Sequence, residues 1–114
     1  MTRRRVAVTG IGLITALGSD RERTWQALVA GQCGMRPVTA FATAGYRSQI
    51  AAEVCMPAVD AALTPLQRRR WSRGDRIGAV AAMDAVRDAG LSDAPYDRRR
   101  VGVLLGAGTA DLIR

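Results

Sequence analysis

Cys33 and Cys55 are the strongest nucleophiles in this 114-residue chain, and the sequence supplies neither with a base. A reactive thiol needs a partner that stabilises its thiolate. The chain has no histidine, so no Cys–His or Ser–His pair forms within it and no imidazole binds a metal. Lysine is absent too, and all 17 basic residues are arginine. That excludes a P-loop, which needs its lysine, and Schiff-base chemistry. Two unpatterned cysteines do not make a disulfide scaffold, and without a nearby group to stabilise a thiolate both are read as structural or incidental.

Glycines mark the other places where chemistry could sit. The β-branched run Val6-Ala7-Val8-Thr9 reads as a buried strand and empties into Gly10-Ile11-Gly12. A strand that ends in Gly-x-Gly is where α/β proteins often place ligands, because glycine lets backbone approach a neighbour closely. A dinucleotide fingerprint needs a third glycine at position 15, where this chain has Thr15. The pattern returns near the other end. Val101-Gly102-Val103-Leu104-Leu105 is a second apolar strand, followed by Gly106-Ala107-Gly108 and Thr109.

The elements between these strands alternate. Ser19-Asp20-Arg21-Glu22 has Ser-x-x-Glu spacing, so a helix is expected from about Asp20 to Gly31. Trp25, Leu28 and Val29 form its apolar stripe. Gly34 and Pro37 mark a loop, and Ile50 through Val54 a short strand. Thr64-Pro65 opens another helix, and Ser72 begins the longest, which ends at Gly90. On that helix Gly78, Ala79, Ala82, Val86 and Ala89 share one side, with Met83 at its edge. Asp84, Arg87, Asp88 and Arg73 lie opposite, interrupted by Ile77 and Val80, so burial over much of its circumference is expected. Apolar strands joined through helices predict an α/β architecture with a mixed or parallel sheet covered by helices.

The net charge of +7 raises nucleic-acid binding as a possibility. Arginine triplets at 3–5, 68–70 and 98–100 each precede an apolar element, where charge solvates the ends of buried segments. Zinc spacing, a helix-turn-helix pattern and interleaved aromatics are all absent, so a nucleic-acid partner is not expected. Attraction to an acidic protein partner stays open, since a positive face steers association with any anionic surface. No apolar run reaches the length of a membrane span, and the start lacks a cleavage site, which predicts a cytoplasmic protein.

The order of these segments resembles the N-terminal part of a β-ketoacyl-acyl-carrier-protein synthase. The resemblance runs from Arg5–Gly18 through Thr24–Gly31, Gly34–Phe41 and Ile50–Val54. It continues in the Asp75-Arg76 helix that ends in Asp88-Ala89-Gly90-Leu91, and in the strand from Arg100 with its glycine turn. It covers essentially the whole chain.

That family implies a thiolase-like layered αβα fold, of which residues 1–114 would be a truncated N-terminal portion. It also implies decarboxylative Claisen condensation of an acyl thioester with malonyl-carrier protein, in fatty acid or polyketide synthesis. A cysteine takes up the acyl group and two histidines assist decarboxylation and stabilise the oxyanion. All three lie beyond the matched stretch, so no catalytic residue is assigned here and the chain alone is expected to be inactive. The implied partners are acyl carrier protein, acyl and malonyl thioesters, and a second copy of the full-length protein; no cofactor or metal is implied. By the same resemblance Gly108 and Thr109 are the candidate substrate-binding residues, with Thr109 beside the acyl pocket. Ala110 and Asp111 stand where the family has glycines. A close packing turn without ligand contact is the other reading of this loop. An alternative for the whole protein is a non-catalytic, chain-length-factor-like partner subunit of a synthase.

Overall fold

The computed structural model describes residues 3–93, 95–106 and 108. Its elements run α1 (Arg21–Val29), β1 (Arg36–Pro37), β2 (Ile50–Ala51), α2 (Met56–Asp60), α3 (Pro65–Arg70) and α4 (Arg73–Asp88), then a 3₁₀ turn at Arg98–Arg100. The fold is mixed α/β, as expected. Its only strand pairing among the described residues is β1 antiparallel to β2, with Arg36 opposite Ala51 and Pro37 opposite Ile50. The Val38 N–H donates to the Gln49 carbonyl at 2.9 Å and continues that ladder. Pro37 therefore belongs to a strand rather than to the expected loop, at an edge where its missing N–H costs nothing.

Local chemistry sets the helix ends. Asp20, not Ser19, caps α1: its carboxylate accepts the Arg23 N–H at 2.8 Å. Gly31 takes φ of 66° just past the end, the left-handed state that glycine adopts at no cost. Thr64 and Gln67 form a full capping box on α3, and Ser72 and Asp75 form another on α4. Gly90, at φ 63°, ends α4 as its position in the sequence predicts. The short helix α2 was not foreseen, since five residues carry no periodicity to read.

The core is small. Val59, Leu63 and Val80 are buried, with Ile14, Val54, Met56, Trp71 and Ile77 packed around them. Ion pairing reinforces the α2–α4 contact, because Arg76 donates to both oxygens of Asp60 at 2.9 and 3.1 Å. Two expectations are corrected here. The α1 stripe of Trp25, Leu28 and Val29 is exposed, and α1 buries Thr24 and Ala27 instead. On α4 the core is built by Val80 and Ile77, the pair expected to interrupt a polar side, while Met83 and Val86 stay over 40% exposed.

The first apolar segment forms no strand among the described residues, and Val6 and Val8 are exposed rather than buried. The segment from Val101 to Leu105 behaves the same way, with Leu104 almost fully exposed. A buried strand needs neighbours on both edges and both faces. The described residues supply a neighbour on one face only, so the expected mixed or parallel sheet is not among them.

That one face is the close crossing of residues 10–12 over α4. A Cβ built at Gly10 would meet the Ala89 nitrogen at 2.6 Å, and one at Gly12 the Ala85 nitrogen at 2.7 Å. These are backbone atoms of a regular helix and cannot step aside. Gly12→Ala is therefore expected to lower the unfolding free energy by about 3 kcal/mol. Gly106→Ala, with nothing within 4 Å of its Cβ, should leave stability nearly unchanged. Urea titration of the two variants against the parent makes the comparison.

Candidate functional site

The glycine segment Gly10-Ile11-Gly12 leads straight into a closed turn. Thr15, the residue that breaks the dinucleotide fingerprint, does the closing. Its hydroxyl oxygen accepts the N–H groups of Leu17 and Gly18 at 3.1 and 3.2 Å, and its own N–H donates to the Gly18 carbonyl at 2.8 Å. The same hydroxyl meets that of Thr24 at 3.1 Å, which ties the turn to the buried side of α1. Gly18 lies so close to α1 that a Cβ there would meet the Thr24 nitrogen at 2.6 Å. The N-terminus of α1 already holds the Asp20 carboxylate, in the place where a phosphate would sit in a nucleotide site. The glycines here serve close packing, not ligand approach.

The second glycine turn is different. Gly106 and Gly108 are exposed, and nothing lies within 4 Å of a Cβ built at either. No packing demand accounts for them among the described residues. Thr109, the other candidate substrate-binding residue, lies outside the described residues, as do Ala110 and Asp111. Just before this turn Val103 and Leu105 join Trp71, Gly78, Ala79 and Ala82 along a shallow apolar groove. The small-residue side of α4 thus faces the segment that carries the turn.

Neither cysteine gains a catalytic setting. Both are free and exposed, and Cys55 occupies the N-cap of α2 without a side-chain hydrogen bond to the helix. Among the described residues no three acidic or cysteine side chains gather to hold a metal.

Two carboxylates form junctions that residue spacing does not reveal. Asp88 accepts the Ile11 N–H at 2.9 Å and the Arg21 guanidinium at 2.6 Å, joining the glycine segment, α1 and α4 at one oxygen. Those two donors, the backbone N–H first, hold its pKa below the ordinary aspartate value. Glu53 accepts the Thr39 hydroxyl at 2.7 Å, the Thr39 N–H at 3.0 Å and the Ala40 N–H at 3.1 Å. These donors, the Thr39 hydroxyl foremost, likewise lower its pKa. An acidic residue inside the apolar run Ile50-Ala51-Ala52-Glu53-Val54 was the one available signal for this clamp.

Because both folded-state pKa values are depressed, the stabilisation is complete above the unfolded carboxylate range. It is lost as pH falls through the lower folded values. Acid should therefore destabilise the chain progressively below about pH 4. Asp88→Asn should be less stable than the parent at neutral pH and show a shallower acid decline. Thermal unfolding between pH 7 and pH 2 gives both slopes.

The family described as Beta-ketoacyl synthase, N-terminal domain, matches residues 3–112. The chain is 35% identical over 103 residues to the tetracenomycin polyketide synthase ketoacyl synthase alpha subunit of Streptomyces glaucescens, covering 90% of this chain and 24% of that protein. It is 36% identical over 110 residues to 3-oxoacyl-[acyl-carrier-protein] synthase 2 of Coxiella burnetii, covering 95% of this chain and 26% of that protein. The chain thus spans about a quarter of the length of the curated relatives it matches. With the glycine crossing, the long alanine-rich helix and the second glycine turn all inside a match that runs nearly end to end, the chain belongs to the β-ketoacyl synthase N-terminal domain family.

Proposed function

We propose that this chain contributes the N-terminal part of a condensing enzyme that joins an acyl thioester to malonyl-carrier protein. The family match over residues 3–112 carries the reading. In the reaction a cysteine thiolate attacks the acyl thioester and the carrier or coenzyme A thiol leaves. The malonyl group then loses carbon dioxide, and the resulting carbanion attacks the acyl-enzyme carbonyl. The cysteine thiolate is expelled and the β-ketoacyl-carrier is formed. Donors aimed at the developing oxyanion lower both barriers. The absence of histidine from the chain supports assigning the two histidines of this chemistry to other residues of the enzyme, and the proposal assigns the nucleophile there too.

The part proposed for the chain itself is positional. In a thiolase-like layered fold, the segments at Val6–Thr9 and Val101–Leu105 are sheet strands. Their exposed valines and leucines take neighbours on the side away from α4. Gly108 and Thr109 then stand at a strand end beside the acyl chain, where a threonine leaves more room than a large aliphatic side chain. The open surroundings of Gly106 and Gly108 support a role beyond packing for this turn.

Carrier protein is the proposed partner, in a homodimeric, cytoplasmic enzyme. The C-terminal turn of α3 presents Arg68, Arg69 and Arg70 to solvent, and none of them forms an ion pair among the described residues. A positive surface of this kind steers an anionic partner. Among the described residues no helix is long and apolar enough to cross a membrane. The relatives are named as polyketide ketoacyl synthase and 3-oxoacyl-[acyl-carrier-protein] synthase, and those names weigh toward a condensing subunit over a non-catalytic partner.

Malonyl-dependent condensation, followed as carbon dioxide release from malonyl-carrier with an acyl donor present, tests this division of labour. The 114 residues alone should give no turnover. Turnover by them would overturn it.

A further inference from the structure

A separate feature lies between the hairpin and the start of α4. Arg36, Thr39, Glu53, Val54 and Arg73 wall a cleft of about 380 Å³, with Met56 adding apolar surface. Its two guanidiniums, Arg36 and Arg73, share one concavity and, among the described residues, lack a carboxylate partner there. Arg21, Arg23, Arg76 and Arg87 each have an aspartate oxygen within 3.4 Å. Arg36 and Arg73 have no such partner among the described residues. Arg73 reaches only the Val54 carbonyl, at 3.4 Å.

Glu53 is the one acid on the wall of the cleft, and its oxygens are already taken. Oε2 accepts the Thr39 hydroxyl and N–H, and Oε1 accepts the Ala40 N–H. The Arg73 charge stabilises this carboxylate through space without forming an ion pair with it. Three lining charges leave the cleft net positive, and the internal anion is committed to holding the loop. A guanidinium presents planar, paired N–H donors that suit a phosphate or carboxylate group.

We propose that this cleft binds a small oxyanion between Arg36 and Arg73. The Thr39–Glu53–Ala40 clamp fixes one wall, and the apolar surface of Val54 and Met56 accepts a short organic body attached to the anion. The site is independent of the condensation chemistry and of the Gly108–Thr109 turn. Phosphate and carboxylate share the required chemistry, and charge separates them: a dianionic phosphate gains more from two guanidiniums than a monoanionic carboxylate does.

Amide NMR titrations of the full chain at low ionic strength, one with sodium phosphate and one with sodium acetate, test the site. Saturable shifts at Thr39, Ala40, Val54 and Arg73 are expected, with phosphate the tighter of the two if a phosphate is the ligand and acetate if it is a carboxylate. Arg36→Gln and Arg73→Gln should each weaken the effect by about tenfold. Arg47→Gln, a change outside the cleft, should leave it intact. Arg36 lies exposed on β1 outside the core, so its variant retains the fold, and the unchanged dispersion of the remaining amides verifies that. Absence of saturable shifts with both anions, or either cleft variant binding like the parent, overturns the proposal.

Discussion

The placement of the first segment against α1 and α4 depends on how closely backbone can approach backbone at one crossing. Residues 10–12 lie directly on the Ala81–Ala85–Ala89 row of α4, and there is no room there for a single extra carbon. Small residues are needed on both sides: glycine on the first segment, alanine on the helix. Once the two are in contact, the Ile11 N–H falls within reach of Asp88, and Arg21 from α1 closes on the same oxygen. An exposed ion pair by itself contributes little to stability. Here its carboxylate also satisfies a backbone donor that has no strand partner, so one side chain fixes the relative placement of three elements.

Legibility from sequence followed the range of the interactions. The boundaries of α1, α3 and α4 were readable because their determinants lie within four residues: Thr64 and Ser72 at two starts, Gly31 and Gly90 at two ends, with the α1 cap at Asp20 one residue from the Ser19 expected. The failure of the nucleotide fingerprint at Thr15 was readable, while the packing role of Gly10 and Gly12 depends on the path of α4 beneath them. Which face of each helix is buried was not. Periodicity groups Trp25 with Leu28 and Val29 correctly but carries no information on whether a neighbour exists to cover them. On α4 the small-residue side and the Ile77–Val80 side are both apolar enough to be buried, and only the path of the chain decides between them.

The site was legible to a different degree. Gly108 and Thr109 were singled out by resemblance, and the surroundings of Gly108 are at least free of the crowding that explains Gly10 and Gly12. The Glu53 clamp and the Arg36–Arg73 cleft were not legible because their members come from separate segments of chain around residues 36–40, 53–56 and 73. No spacing rule connects a strand residue at 36 to a helix residue at 73. Composition offered a hint of a kind: arginine outnumbers acid by seven charges, so some guanidiniums were bound to remain without a carboxylate.

The Asp88 junction also orders events during folding. The Arg76–Asp60 pair that joins α2 to α4 spans 16 residues of chain, whereas the Ile11–Asp88 bond spans 77. Loop-closure entropy alone makes the longer closure costlier by about 1.4 kcal/mol. The helical core can therefore assemble from its own neighbourhood, while the first segment must wait for a finished α4 before it has a surface to dock on. The part of the chain synthesised first is, on this account, among the last to find its place.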